Sequence, residues 1–179
     1  PIVFMGSCLN DMRGLENIST VLWDCGPASK SAVNYLIDKG RQNIGFLGAD
    51  HAVQSDLIRF NSYREALSDA GLEFNSSHSL WGKSYQYPTK QQYEQVMQGS
   101  KKPDAFFALN DAIAIDAMEI LNSMGYRIPD DIAVIGMGNL AVSAIKMVNL
   151  TTVAEPILEI SSESARVLLE LINGSTQRV

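Results

Sequence analysis

Short apolar runs recur along the chain, each followed by a polar or glycine-bearing turn and then by apolar residues at helical spacing. The runs Ile2–Met5, Thr20–Trp23, Ile44–Leu47, Ser79–Trp81, Ala105–Leu109, Ile132–Met137 and Thr151–Val153 predict strands. Helices are predicted from Pro27 to Lys39, from Ser55 or Asp56 to just before Gly71, and from Thr89 to Gln98. Two more follow Asn110-Asp111 and Pro156, the last ending near Asn173-Gly174. The punctuation supports this division. Pro27 suits a first helical turn, and Ser55 or Asp56 and Asn110 or Asp111 carry oxygens able to cap free backbone N–H groups. Gly40 and Gly125 stand where left-handed helix ends belong. In the helix after Asn110, the residues Ile113, Ala114, Ala117, Leu121 and Met124 share one face.

Strands alternating with helices of ten or more residues imply parallel βαβ units and an α/β fold with a largely buried sheet. Such sheets bind ligands at the carboxyl ends of their strands. Arg59 falls in the first turns of a helix that starts at that end, where its guanidinium can grip hydroxyls or a carboxylate two-pronged; a surface ion pair is the plainer alternative. Asn110-Asp111 is equally two-sided, as a helix cap or as an amide offered to a ligand.

Composition narrows the functions. The 179 residues are 46% hydrophobic, enough for a real core, and carry 14 basic against 20 acidic side chains for a net charge of −6. That balance argues against this chain gripping nucleic acid itself. No apolar stretch approaches the roughly 20 residues that span a bilayer. Pro1 to Leu9 lacks the basic region and apolar core of a secretion leader, so the expected location is the cytoplasm. Cys8 and Cys25 are expected as reduced, unpaired thiols, and no His, Cys, Asp or Glu spacing suits a metal. His51 and His78 are expected in solvated loops. Neither metal nor cofactor is predicted.

One segment suggests an enzyme. Gly136-Met137-Gly138-Asn139-Leu140-Ala141 fits a dinucleotide-binding turn, with Glu155 nearly the expected distance downstream. Against it, the following segment is short and broken by Lys146 and Asn149, and Glu155 lies beyond the next strand, against Pro156. The βα units that precede it also deny it the place of a first unit. A plain glycine loop at a strand's carboxyl end, on the same side as Arg59 and Asn110, is the competing expectation.

Six segments, in order, resemble the effector-binding core of the lactose/galactose-repressor family of bacterial transcription regulators. They are Asp24-Cys25-Gly26-Pro27-Ala28, Gly40 to Gly48, Arg59 to Tyr63 with Ala66-Leu67, Pro103 to Phe107 with Asn110-Asp111, Ile128 to Gly136, and Leu150-Thr151-Thr152-Val153 with Pro156. The resemblance implies a periplasmic-binding-protein-like type I fold: two Rossmann-like lobes of parallel sheet with an effector between them. Residues 1–41 would be a partial first lobe, 42–153 an essentially whole second lobe, and 154–179 a return to the first. A DNA-binding segment and part of the first lobe are expected outside the chain. The exposed strand surface this leaves at residues 1 to about 23 should then recruit partners or be disordered.

The resemblance also assigns roles. It makes Arg59 and Asn110 effector contacts, adds Ser55 and Asp24 beside them, and turns Gly138 and Asn139 into a cleft-lining turn. Tyr85, in the Lys83-Ser84-Tyr85 loop, aligns with an aromatic wall. Departures from the pattern are Gly138 where many sugar-binding members carry Asp, Ser62 for Gly and Cys25 for Asn. Retaining Arg59 without that Asp tilts the expected effector towards a sugar acid, alongside neutral sugars. The expectation is therefore a non-enzymatic sensor, forming a homodimer and reaching DNA only through a segment not in this chain. A solute-binding protein for sugar transport and a dinucleotide-dependent enzyme are the rivals.

Overall fold

The computed structural model describes residues 1–6, 18–49, 54–83 and 86–174. Two parallel sheets organise them. The larger holds β3 (Ile44–Ala49), β4 (Ser79–Gly82), β5 (Ala105–Ala108), β6 (Ala133–Gly138) and β7 (Thr151–Ala154), in the order β4-β3-β5-β6-β7. The smaller pairs β1 (Ile2–Gly6) with β2 (Ile18–Leu22). This is the expected α/β architecture, with one sheet extensive and the other a two-stranded piece.

The helices are α1 (Gly26–Asp38), α2 (Gln54–Asp69), α3 (Lys90–Met97), α4 (Asp111–Ser123) and α5 (Ile157–Ile172). Helix α1 lies against α2, β6 and β7, while α4 lies against β5, β6 and α3. Helices therefore border the large sheet along its length, and every residue of β3 and β5 is buried. On β3 an aromatic cluster forms around Phe46, whose ring centroid is 5.0 Å from Phe60 and 5.2 Å from Trp81. The Tyr63 hydroxyl donates to the Ile44 carbonyl at 2.8 Å, and burial raises its pKa above the usual tyrosine range.

Local chemistry fixes the ends of these elements. Helix α1 has Pro27 in its first turn and closes with Gly40 at φ +85°, where the Gly40 and Arg41 N–H groups reach back to Ile37 and Leu36. Gly125 at φ +89° ends α4 in the same way. The Asp104 carboxylate accepts the N–H groups of Gln42 and Asn43, tying the entry of β3 to the entry of β5.

Three expectations are corrected here. Helix α2 already begins at Gln54, so Ser55 and Asp56 lie inside its first turn and neither is the cap. Strand β6 runs past the predicted Met137 to Gly138 because it pairs with β7 as far as Ala154, so the expected glycine loop starts only at Asn139. His78 is buried, its ring nitrogen 2.7 Å from the Lys101 carbonyl oxygen, and is no solvated loop residue. Cys25 is a free, buried thiol, whereas Cys8 and His51 lie outside the described residues.

Candidate functional site

Strand β3 pairs with β4 on one side and β5 on the other, so the strand order reverses between β3 and β5, and in such sheets the crevice at the carboxyl ends of those strands is where ligands bind. Helix α2 leaves that end of β3 and carries Ser55 and Arg59 into the crevice. The side chain of Arg59 is only 11% exposed. One guanidinium nitrogen donates to the Leu109 carbonyl at 2.8 Å, just past β5, and another to the Glu155 carboxylate at 2.7 Å, just past β7. A single side chain thus ties together the carboxyl ends of three strands of the large sheet.

A pocket of about 140 Å³ lies where the two sheets meet. Its polar wall is Ser55, Arg59, Glu155 and Cys25; Trp23, Met5, Ile157 and Ile160 supply the apolar wall from the side of β1, β2 and α5. The Cys25 thiol lies 3.7 Å from the Ser55 carbonyl oxygen. Burial raises its pKa, and the neighbouring Arg59 charge opposes that rise only in part, so the thiol stays protonated at neutral pH. An arginine, a carboxylate and a serine against an indole and aliphatic side chains can hydrogen-bond a hydroxyl-rich molecule and pack its carbon face.

Asn110 resolves the sequence ambiguity towards capping: its side-chain oxygen accepts the Ile113 N–H at 2.9 Å. Its amide nitrogen has no partner among the described residues and remains at the crevice end of β5. The adjoining Asp111 is fully buried. Its carboxylate accepts the Leu140 N–H at 2.8 Å and the Ser143 hydroxyl at 2.6 Å, and also the Thr152 hydroxyl. It therefore clips the segment after β6 onto the first residues of β7. A side chain at Gly136 would strike that carboxylate, which accounts for glycine there.

Of the sequence-predicted residues, Ser55 and Arg59 come together in the pocket. Gly138 and Asn139 end β6 on the same side, with Asn139 at φ +51° and its N–H on the Thr152 hydroxyl, but neither lines the pocket. Asp24 is exposed and turns its carboxylate onto the Gly26 N–H at 3.0 Å, a local turn at the entry to α1. Tyr85 lies outside the described residues. The dinucleotide reading of Gly136 to Ala141 lacks its essential part: a short 3-10 turn, Ala141–Ala144, follows the glycines in place of an α-helix whose N-terminus would hold a pyrophosphate. Among the described residues no cluster of His, Cys, Asp or Glu suits a metal, and no helix is long and apolar enough to cross a membrane.

Sequence reasoning missed Glu155 and Cys25 as pocket residues. Glu155 was visible only as an acid in the wrong motif, and its true signal is its place between the end of β7 and Pro156, where the chain crosses from one sheet to the other.

Residues 33–179 match a family described as a periplasmic binding protein-like domain. A probable HTH-type transcriptional repressor, ExuR of Bacillus subtilis (strain 168), is 30% identical over 173 residues, covering 97% of this chain and 51% of that protein. Catabolite control protein A of Priestia megaterium is 28% identical, covering 98% of this chain and 52% of that protein. Among solved structures, a complex of the transcriptional regulator CelR with cellobiose superposes with a TM-score of 0.83 at 27% identity, over 99% of this chain and 54% of that one. The chain spans about half the length of the curated relatives it matches.

Proposed function

The chain belongs to the periplasmic binding protein-like domain family, in the form that lactose/galactose-type repressors carry, and from that premise we propose that it is the effector-binding part of a bacterial transcription regulator. The observation that carries this reading is Arg59, buried with Glu155 in a pocket between two sheets at the carboxyl ends of their strands. The effector is a sugar or sugar acid, held by Ser55, Arg59 and Glu155, with Asn110, Asn139 and Gly138 beside them. Its binding between the sheets biases their relative geometry, and so the DNA affinity of a segment carried elsewhere in the regulator. The protein acts in the cytoplasm as a homodimer and catalyses no reaction. The regulators among its relatives support this over the transport and dinucleotide-enzyme readings.

Residues 42–153 form the second lobe in this reading, and 154–179 return to the first, where α5 packs on β1 and β2. Residues 1–41 are the partial first lobe in the same reading, with α1 lying against α2 and the large sheet. The test is a thermal-shift panel of neutral sugars, sugar acids, purines and NAD(H). Saturable stabilisation by one sugar, abolished in Arg59→Ala, is the expected result; stabilisation by NAD(H) alone overturns the sensor.

A further inference from the structure

An arginine without a carboxylate beside it would favour an acidic effector. The structure supplies the carboxylate. Glu155 sits 2.7 Å from an Arg59 nitrogen, and both side chains are largely shielded from water. At that separation and in that environment the pair is screened far less than a surface ion pair, so each charge substantially cancels the other. Among the described residues no second cation lines the pocket. An incoming carboxylate or phosphate would therefore have to displace Glu155 or lie against its negative charge.

A neutral hydroxyl meets neither obstacle. One Glu155 oxygen is bonded to Arg59, and the other has no partner among the described residues. Glu155 lines a pocket together with Ser55 and Trp23. A free carboxylate oxygen is an acceptor only, so it selects a ligand that brings an O–H donor. Glu155 is held for this task from two sides. The ladder between β6 and β7 reaches Ala154, and Pro156 caps α5 directly after it.

We infer that Glu155 sets the charge selectivity of the pocket: it neutralises Arg59 and offers its free oxygen to a hydroxyl, so the site takes uncharged polyhydroxy ligands and refuses organic anions. The inference rests on the effector-binding reading for the identity of the site, but its test needs no effector. Acetate is titrated into the full chain at ionic strength held constant with sodium chloride, and the backbone amide shifts of Ser55 and Arg59 are followed. Glu155→Gln binds acetate at least tenfold more tightly than the wild type, and the double variant Arg59→Gln/Glu155→Gln loses that gain. Equal acetate affinity in wild type and Glu155→Gln overturns the inference. Should Glu155→Gln be unfolded in chloride, acetate restores its folded near-UV spectrum, and failure to do so overturns the inference equally. A panel in which a sugar acid binds the wild type more tightly than its uncharged counterpart sinks this inference and leaves the effector reading standing. Absence of any sugar binding sinks the effector reading, and the acetate titration still decides the role of Glu155.

Discussion

The two sheets are both parallel, yet they are covered to different extents. In the larger, helices border the strands and the central strands β3 and β5 are wholly buried. In the smaller, α5 lies over β1 and β2, while Ile2, Phe4, Met5 and Leu22 are each 40% or more exposed. Both sheets carry strongly apolar strands, β1 (Ile2–Gly6) in the smaller and β3 and β5 in the larger, so hydrophobicity alone does not distinguish them. The difference is how much of each surface has a partner, and burial converts to stability only where the partner is present.

The largest test of this contrast compares two phenylalanines. Phe107, fully buried and 5.8 Å from Phe46 between ring centroids, loses packing on all sides in Phe107→Ala. About 3–5 kcal/mol of stability should go with it, seen as a lowered urea midpoint. Phe4 is 40% exposed, and Phe4→Ala should cost under about 1 kcal/mol. A loss at Phe4 equal to that at Phe107 would mean that the exposed side of β1 and β2 is covered in solution, as a homodimer packed there would cover it.

Where the elements lie was legible from periodicity and punctuation, because Pro27, Gly40, Asn110 and Gly125 act on their own neighbours. The end of β6 was not. Gly138 extends the strand past the predicted Met137 only because it pairs with Ala154 of β7, and glycine in isolation signals a turn. The site divides in the same way. Arg59 was legible from its place at the start of a helix, whereas Glu155 meets it across 96 positions and Asp111 meets Thr152 across 41. No local pattern encodes contacts at that range. Asp24 shows the converse, a local contact: one of its carboxylate oxygens accepts the Gly26 N–H two positions on, within the segment that resembles the family's.

Asp111 gives the second test, since the large sheet keeps its carboxyl end in order through a buried polar group and the small sheet shows no equivalent among the described residues. Asp111→Ala strands the Leu140 N–H and the hydroxyls of Ser143 and Thr152. An unsatisfied buried group costs about 1–3 kcal/mol. We expect a net loss of about 3 kcal/mol, and faster hydrogen exchange at Leu140 than at amides of β3. An unchanged exchange rate at Leu140 would show that the β6–β7 connection is held by its apolar contacts.

The smallest expected effect concerns acid. In the loop before β6, Asp131 accepts the Arg127 side chain and backbone N–H, and these bonds, the guanidinium foremost, lower its pKa to about 2. A carboxylate depressed in the folded chain contributes stability that is fully present above its unfolded pKa, about 3.9, and is lost as pH falls through about 2. On α5, Glu163 is likewise lowered by Arg166, but as one of two exposed acids sharing that guanidinium along a helix. Such exposed pairs are screened by water and salt, so both contributions are small. Asp131 additionally closes a turn by holding a backbone N–H, which an i,i+3 pair on a helix does not do. Asp131→Asn should therefore flatten the fall in urea midpoint between pH 4 and pH 2 more than Glu163→Gln does. The reverse ranking would place the acid-sensitive element on α5, and with it the first region to open would be the small sheet and its helix.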